Sequence, residues 1–382
     1  MDITLTSLEK EHSELLKAKI ASEITSQGGW IPFSRYMEMA LYEPGMGYYS
    51  AGAHKLGSGG DFTTAPELSP LFGAAICSTL IPVLDGLRAN GLPTQILEFG
   101  AGTGKLATSI LTRLQDLGFV LDRYDIIEIS PDLAQRQQER MTKTIEQIHS
   151  PTQCEWLSEL PKNYKGIILA NEVIDAIPCD MVIYQNGFWY WYGVAIENSQ
   201  LIWRVGSPVD QKLLPKALLD GNFSEGYITE LHAPANAWMH HVAKQLHTGL
   251  FLSFDYGFPE NEYYHPQRLQ GTLMAHHRHH VGDLAHLAQD ARRVHPLRVT
   301  VDAAQFLQHP LVAGIFLRLR GRAVGDVEDA RLAGELLVDE VGDAVGHQAQ
   351  VGRGHRIALA AQVLALDHVP QPKAHIDRKS VV

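Results

Sequence analysis

Cysteine is scarce in this sequence, and none of the cysteines has the spacing of a redox or metal motif. Three occur in 382 residues, at Cys77, Cys154 and Cys179, and no C-x-x-C pattern is formed. Disulfide frameworks belong to oxidising compartments, and scattered cysteines do not build one. We therefore expect a reducing compartment and a cytoplasmic location.

Positive charge is scarce relative to negative charge. The chain has 32 Lys and Arg against 43 Asp and Glu, a formal net charge of −11 and a pI near 5.9. A nucleic-acid carrier would show a basic stripe, so we expect no nucleic-acid partner. An acidic protein is instead suited to a cationic substrate such as an arginine-rich protein.

Targeting segments and long apolar runs are also missing. The first residues, "MDITLTSLEKEHSELL", carry charges throughout, without the apolar core of a secretory signal or the acid-poor character of a transit peptide. No run of about 18 apolar residues is found. We therefore expect no membrane span, whereas the oligomeric state is not defined by the sequence.

The stretch "ILEFGAGTGKL" from Ile96 to Leu106 is the first candidate for a binding site. A phosphate-binding P-loop would require glycine at Phe99 and Ser or Thr at Leu106, so that interpretation fails twice. The dinucleotide pattern G-x-G-x-x-G fails once, because its third glycine falls on Lys105. The loop therefore brings backbone close to a ligand without a dedicated phosphate site.

Two acids accompany this loop. Glu98 precedes Gly100, Gly102 and Gly104 at the end of a short buried strand, where it suits a ligand that carries an ammonium group. Glu128 ends the next apolar run, and in a doubly wound sheet a carboxylate there can accept both hydroxyls of a ribose. The alternative is an ordinary strand-to-helix turn with a surface acid at Glu128.

The apolar runs around this loop predict an α/β fold with a Rossmann-like core, within a chain long enough for one large domain or two. We expect an N-terminal helical and lid-loop region at 1–92, beginning with a helix from Leu5 to Gln27. The core follows at 93–280, and an anomalous tail occupies 281–382. The predicted core strands are Gln95–Gly100, Asp125–Ile129, Gln153–Leu157, Gly166–Asn171 and Gly249–Asp255.

An antiparallel hairpin is predicted inside the core, at 181–205. Asn186-Gly187 between alternating apolar runs is a strong signal for a tight hairpin turn. Its aromatic residues favour cross-strand packing over a partner surface. These residues are Phe188, Trp189, Tyr190, Trp191 and Tyr192.

The segment "YSAGAHKLGSGGDFTTAPE" in the N-terminal region is long and rich in glycine. Loops of this length in compact domains are often lids or binding loops. A plain mobile excursion is the alternative on composition alone.

Several blocks outside the glycine loop occur in a fixed order: "PFSRYMEMALYEPGMGYYS", "GGDFTTAPELSPLFG", "ANEVIDAIPCDMV", "FDYGF" and "QGTLMAHHRHH". With the glycine loop they resemble the MidA family of class I S-adenosylmethionine (SAM) methyltransferases, which includes a mitochondrial complex I assembly methyltransferase. The resemblance covers Trp30 to His280. It implies SAM as cofactor and arginine of a protein substrate as acceptor, with a respiratory complex subunit as one such partner.

The resemblance assigns roles to the loop and its neighbours. The three glycines would pass under the methionine portion of SAM, Glu98 would bind its ammonium group and Glu128 its ribose. Trp156, with Glu155, follows the third strand, where such folds usually hold the adenine, and that assignment depends on position alone.

The fourth strand ends in "ANEVIDAIP", which brings Asn171, Glu172 and Asp175 to the cofactor. Carboxylates can bind a guanidinium through two hydrogen bonds and direct one nitrogen at the methyl group. We therefore predict catalytic roles for these residues, with Glu172 and Asp175 facing one pocket. The alternative is that Asp175 caps a helix and Glu172 pairs with a lysine.

Two other functions are compatible with the same residues. One is a methyltransferase with a different acceptor, such as a small molecule. The other is a non-catalytic SAM-binding assembly factor that acts through its aromatic hairpin. Intact Glu98, Gly102 and Glu128 favour SAM binding under all three hypotheses.

The histidine block His276–His280 suggests a metal site at first sight. Adjacent histidines point in different directions, and no acid or cysteine follows at ligand spacing, so we predict no metal. Arg268 and Arg278 in the same block are expected to bind substrate or to fix loops.

The composition changes after His280. Tyr, Trp, Cys and Asn disappear, serine occurs only at Ser380, and lysine only at Lys373 and Lys379. The family resemblance stops at the same place, where the closing antiparallel strands of the sheet are expected. One hypothesis is a wrong reading frame or strand from near His280, which would leave the sheet without those strands. The other is a divergent or fused C-terminal helical region.

Overall fold

A computed structural model describes residues 7–50, 65–255, 257–277, 280–282, 298–300, 315–318 and 363–364. Its α-helices are α1 Ser7–Ser26, α2 Phe33–Tyr42, α3 Ala65–Leu68, α4 Leu71–Ala89, α5 Lys105–Asp116, α6 Pro131–Gln147, α7 Lys216–Asp220, α8 Ala233–Gln245 and α9 Glu260–Tyr263. Its strands are β1 Trp30–Pro32, β2 Gln95–Phe99, β3 Arg123–Ile127, β4 Gln153–Leu157, β5 Tyr164–Asn171, β6 Asp180–Gln185, β7 Phe188–Glu197, β8 Gln200–Pro208, β9 Ile228–Leu231, β10 Leu246–Phe254, β11 Met274–His277, β12 His280–Gly282, β13 Arg298–Thr300, β14 Ile315–Arg318 and β15 Val363–Leu364.

The larger sheet has the strand order β15-β14-β10-β5-β2-β3-β4, and its neighbours from β10 to β4 are parallel. The interiors of β2, β3 and β5 are almost wholly buried, as expected for parallel strands covered on both faces. The strand order reverses between β2 and β5, which is where ligands bind in such folds. The predicted Rossmann-like α/β fold is confirmed, and four of the five predicted strands differ only in their ends.

Helices cover both faces of this sheet. α4 and α5 pack on one face, and α8 packs on the other. Among the described residues, α4 is long and apolar enough to cross a membrane by length and composition. Its apolar side, including Ile76, Leu80 and Leu84, is fully buried in the core, and a core helix meets the same criterion.

A second sheet is antiparallel, with the order β1-β7-β6-β9 and β8 paired to β7. The predicted hairpin turn is present, since Asn186 and Gly187 have φ of 51° and 82°. The predicted insertion at 181–205 contains one strand more than a hairpin has. A second tight turn at Asn198 and Ser199, with φ of 49° and 62°, makes the insertion a three-stranded unit from Asp180 to Pro208.

The aromatic residues of this unit mostly pack. Trp189 is 7% exposed, contacts Phe223 and Tyr227, and donates a hydrogen bond to the carbonyl of Leu218. Tyr192 stacks on a β8 residue, Trp203, with ring centroids 4.9 Å apart. Phe188, at the turn, is 60% exposed.

The N-terminal region is divided between the two sheets. α1, close to the predicted helix, packs with α2 on the antiparallel sheet, and β1 adds a strand to it. α4 instead belongs to the core of the parallel sheet. Packing therefore does not follow the predicted boundary at residue 92. Most of the predicted lid loop, residues 51–64, lies outside the described residues.

A buried glutamate attaches the segment before β11 to the antiparallel sheet. Glu230 in β9 is 0% exposed, and one of its oxygens accepts hydrogen bonds from the amides of Thr272 and Leu273, both at 2.8 Å. The other accepts from the hydroxyl of Tyr263 at 2.8 Å. A Cβ atom at Gly271, whose φ is 69°, would lie 2.3 Å from this carboxylate. Glycine is therefore required there.

Parts of the tail extend the sheets. β14 pairs antiparallel with β10, and β15 pairs parallel with β14. An antiparallel strand therefore lies beside β10 at Ile315–Arg318, which the reading-frame hypothesis does not predict. β11, β12 and β13 form a small antiparallel sheet. Most of 281–382 lies outside the described residues, so the reading-frame hypothesis stays a prediction that six-frame translation of the gene would test.

Candidate functional site

A cavity of about 390 Å³ opens at the carboxyl ends of the parallel strands. The glycine loop, the residues after β3 and the residues after β5 supply most of its wall, and this is the crevice in which open α/β sheets bind ligands. The described lining residues are Tyr42, Tyr49, Pro66, Glu67, 98–103, Lys105, Leu106, 127–129, Leu133, 171–173, 176–178 and Trp238.

The glycine loop turns sharply between β2 and α5. Gly100, Gly102 and Gly104 have φ of 58°, 56° and 79°, a conformation that disfavours other residues. Gly100 and Gly102 line the cavity. Gly104 does not line it and is the N-cap of α5, which corrects the prediction that all three glycines pass under the ligand. The helix start explains this, because the chain turns away from the cavity there.

Glu98 lies at the cavity wall but is only 1% exposed. Its carboxylate accepts a hydrogen bond from the hydroxyl of Tyr124 at 2.7 Å. Burial raises the pKa of Glu98 to about 7, the Tyr124 hydrogen bond opposes this, and the negative charge of Glu128 adds to it. An ammonium group in the cavity would stabilise the ionised carboxylate, so the geometry fits the predicted role.

Glu128 follows β3 and lines the cavity beside the glycine loop, since Gln137 donates to both Glu128 and the carbonyl of Gly102. One oxygen accepts from the amide of Ser130 at 3.0 Å, and the other accepts from the side-chain amide of Gln137 at 2.8 Å. Burial raises the pKa of Glu128, while these hydrogen bonds lower it. The carboxylate is thus oriented before a ribose arrives.

Gln137 in α6 connects three parts of the site, and the sequence analysis missed it. It is fully buried, and its amide nitrogen donates to the carbonyl of Gly102 at 2.9 Å as well as to Glu128. Its amide oxygen accepts from the indole of Trp156 at 2.9 Å. A usable signal existed, because Gln137 lies four residues before the buried Met141 and so on the buried face of an otherwise polar helix.

Trp156 is not among the described residues that line the cavity. Its indole points to Gln137 and packs against the core, so the prediction that it holds the adenine is not supported. Glu155 points to the other face of β4 and pairs with Arg123 at 2.7 Å. Ile129 and Leu133, which follow β3, supply the apolar wall beside Glu128 instead.

Asn171 and Glu172 line the cavity, as predicted, but Asp175 does not. Glu172 has a φ of 52°, and only Ile174–Ala176 form a 3₁₀ turn. The three-residue spacing therefore does not put both carboxylates on one helical face, and Asp175 is 0% exposed. The alternative, that Asp175 caps a helix, is not supported, because the side chain that accepts from the amide of Ile174, at 2.7 Å, is Asp255.

Other lining residues come from the end of α2 and from the two ends of the predicted lid or binding loop, Tyr49 and Glu67, although the sequence analysis singled out none of them. Tyr42 and Tyr49 come from the end of α2 and the turn after it. Glu67 in α3 accepts a hydrogen bond from Thr103 and pairs with Lys105 at 2.7 Å, which ties α3 to the glycine loop. These side chains meet the cavity only through tertiary packing.

Arg268 and the histidine block are not among the described residues that line the cavity, and Arg278 lies outside the described residues. Arg268 donates to the carbonyl of Glu262 and lies over the ring of Phe258, and it does not line the cavity. Arg278 and His279 lie outside the described residues. The predicted absence of a metal stays a prediction.

Charge completes the description of the cavity. Its described lining contains four glutamates and one lysine, namely Glu67, Glu98, Glu128, Glu172 and Lys105. An excess of carboxylates favours cationic ligands. With the glycine loop and the two acids after β2 and β3, this geometry defines a class I SAM-dependent methyltransferase fold and cofactor site.

Comparison with known proteins agrees with this class. Residues 75–290 match the family described as "Putative S-adenosyl-L-methionine-dependent methyltransferase", so the chain belongs to that family. The predicted resemblance and the cofactor SAM are thereby confirmed.

Two solved structures from Burkholderia thailandensis are similar over most of the chain. One, bound to S-adenosyl-homocysteine, is 34% identical with a TM-score of 0.72 and covers 91% of this chain and 86% of its own. The other is 39% identical with a TM-score of 0.68 and covers 79% and 75%.

Curated relatives match over a shorter stretch. The mitochondrial protein arginine methyltransferase NDUFAF7 of Danio rerio is 34% identical over 180 residues, which is 42% of each chain. The Drosophila melanogaster homologue is 30% identical over 214 residues, which is 50% of this chain and 47% of the relative. The matches thus span less than half the length of these relatives.

Proposed function

We propose that the protein transfers the methyl group of SAM to an arginine side chain of a protein substrate. The observation that carries the proposal is Glu172, a carboxylate at the end of β5 in the same cavity as Glu98 and Glu128. The names of the curated relatives support the arginine acceptor.

The two ends of the cavity have separate tasks in this proposal. The cofactor half consists of the glycine loop, Glu98 and Glu128, which lie at β2 and β3. Glu98 holds the ammonium group, and Glu128 accepts the ribose hydroxyls. When bound, SAM supplies a methyl group activated by a positively charged sulfur. The acceptor half consists of Asn171 and Glu172 at the end of β5 and the residues that pack beside them.

Glu172 acts on the acceptor. A guanidinium has a pKa above about 12, and its nitrogen lone pairs are delocalised, so it is a poor nucleophile in water. A carboxylate that binds the guanidinium through charge-assisted hydrogen bonds directs one nitrogen at the methyl group. It also draws positive charge toward the nitrogens that it binds and away from the attacking nitrogen. Positioning of this kind is the main contribution that the protein makes to a displacement reaction.

The proposal is tested with purified full-length protein, SAM labelled in its methyl group and a cell lysate as the source of acceptors. We expect label on arginine of one or a few polypeptides, identified by mass spectrometry. Glu172→Gln should reduce the transfer rate by about two orders of magnitude with SAM affinity nearly unchanged. Asp175→Asn is the comparison variant, since Asp175 does not line the cavity. Label on another residue type, or a wild-type rate in Glu172→Gln, would contradict the proposal.

The acceptor protein and the location follow from the family resemblance and the composition. We include a respiratory complex subunit as acceptor and a cytoplasmic location in the proposal. The three cysteines, Cys77, Cys154 and Cys179, are free thiols, which agrees with a reducing compartment.

A further inference from the structure

Two tyrosines form part of the cavity wall although they belong to the N-terminal segment. Tyr42 ends α2, and the chain turns back so that Tyr49 stacks on it, with ring centroids 5.5 Å apart and an interplanar angle of 20°. Both rings are half-buried and line the cavity. Neighbouring Tyr48 is 1% exposed and is a core residue. The two kinds of tyrosine in this turn therefore have different surroundings.

This tyrosine pair is held rigidly. The hydroxyl of Tyr42 donates to the carbonyl of Ala176 at 2.7 Å. The amide of Tyr49 donates to the carbonyl of Leu41 at 2.8 Å, and the ring of Tyr48 packs edge-on against Tyr49 at 5.0 Å. Rings fixed in this way keep one orientation at the cavity wall, so little conformational freedom is lost when a ligand packs against them.

The same contacts locate the pair in the acceptor half. Ala176 and Glu172 both follow β5, whereas Glu128 follows β3, and β2 separates these two strands in the sheet. A ligand that contacts the tyrosine pair thus lies on the β5 side of the cavity, next to Glu172 and away from the ribose end. The pair and Glu172 together offer an aromatic face and a carboxylate.

We infer that the tyrosine pair is the part of the acceptor site that selects a planar, delocalised cation. The inference rests on the proposed function and specifies its acceptor as a guanidinium rather than an ammonium. A guanidinium is weakly hydrated and stacks on aromatic faces, whereas the ammonium of lysine is a strongly hydrated point charge. The four glutamates of the cavity supply the negative field that both cations share, so the aromatic face is what distinguishes them.

The test uses the full-length protein saturated with S-adenosyl-homocysteine and three probes, the Nα-acetyl amides of arginine, citrulline and lysine. Citrulline has nearly the shape of arginine without its charge. By calorimetric titration, we expect the arginine probe to bind roughly tenfold or more tightly than either of the others. Tyr49→Leu should weaken arginine binding by roughly tenfold, and Tyr49→Phe, which keeps the aromatic face, should stay within about twofold.

Two further variants complete the design. Phe188→Leu removes an exposed aromatic ring outside the cavity and should change nothing. Tyr42→Leu should also weaken arginine binding by roughly tenfold. It serves as the test variant if Tyr49→Leu no longer binds S-adenosyl-homocysteine. Equal arginine affinity in the leucine variants and the wild type, or no preference for arginine over citrulline and lysine, would overturn the inference. Selective arginine binding without any methyl transfer to arginine would overturn the proposed function and leave the subsite in place.

Discussion

Each of the two sheets contains a buried glutamate that accepts a hydrogen bond from a tyrosine. Glu98 in the parallel sheet bonds Tyr124 at 2.7 Å, and Glu230 in the antiparallel sheet bonds Tyr263 at 2.8 Å. Both carboxylates are at most 1% exposed, and burial raises the pKa of both. Chemically the two pairs are alike.

The pairs differ in how many of their hydrogen bonds the protein itself supplies. Glu230 also accepts from the amides of Thr272 and Leu273, and these bonds oppose the effect of burial on its pKa. Among the described residues, Tyr124 is the single donor to Glu98, which borders a cavity. A buried carboxylate can accept several hydrogen bonds. We predict from this comparison that Glu230, with internal bonds to both oxygens, is a structural acid, and that Glu98, with remaining capacity beside a cavity, is a ligand-binding one.

Removal of the structural acid should have the largest effect. Glu230→Leu leaves the amides of Thr272 and Leu273 without their acceptor, and each buried unsatisfied group costs about 1–3 kcal/mol. We expect the free energy of unfolding, measured in urea, to fall by about 3 kcal/mol or more. Glu230→Gln retains an acceptor oxygen and should cost much less. If both variants unfold like the wild type, Glu230 does not hold the 271–273 segment.

Replacement of Glu98 should have the opposite effect, a loss of SAM affinity without a loss of stability. Glu98→Gln is expected to weaken SAM binding by about 10- to 100-fold, because a hydrogen bond to a charged group contributes about 1.5–3 kcal/mol. Calorimetry measures the affinity, and urea unfolding at pH 8 should show no loss of stability, because the variant has no buried charge at this position. A variant that binds SAM normally would remove Glu98 from the cofactor site.

The pH dependence of SAM binding should show whether the ionisation of Glu98 controls the affinity. The ammonium group pairs with ionised Glu98, and burial raises the pKa of Glu98 to about 7, so affinity should fall below pH 7, by up to about tenfold per pH unit. Affinity should also fall above about pH 8, because the ligand's own amino group then loses its proton. Tyr124→Phe removes a hydrogen bond that lowers this pKa, so the midpoint should move to higher pH. Titration at several pH values tests both expectations, and a midpoint that stays in place would contradict the role of Tyr124.

The smallest effect is expected at the residue that links Glu128 to the glycine loop. Gln137→Met keeps the volume but removes the hydrogen bonds to Gly102 and Glu128, so SAM affinity should fall several-fold, by about 1 kcal/mol. Trp156→Phe is the control, since it removes the indole bond to Gln137 and leaves the bonds from Gln137 to Gly102 and Glu128 in place. The KM for SAM should rise in Gln137→Met with little change in kcat. Equal losses in both variants would indicate a packing defect instead.

The cofactor half was predictable because its signals are local. A buried apolar run, alternating glycines and an acid after each of two strands occur within a few residues of one another. Glu98, Gly100, Gly102 and Glu128 therefore lie at the cavity as predicted. The strand interiors were predictable for the same reason.

The acceptor half was only partly predictable because it depends on backbone conformation and distant contacts. The positive φ of Glu172 breaks the helical spacing that would have aligned Asp175 with it. Tyr42 and Tyr49 reach the cavity through the antiparallel sheet, and Gln137 reaches Glu128 from the next helix. The neighbouring sequence shows that Gln137 lies on the buried face of its helix and that Tyr49 begins a long loop, but not which distant residues these side chains contact.

The placement of β1 has a consequence for synthesis on the ribosome. The indole of Trp30 donates to the carbonyl of Arg204, 174 residues later in the chain. At about 5–20 residues per second, the N-terminal segment waits on the order of ten seconds or more before its partner strands emerge. Throughout that time the apolar side of α1, with Leu16, Ile20 and Ile24, has no sheet to cover it. A nascent chain of this protein should therefore be a client of ribosome-associated chaperones.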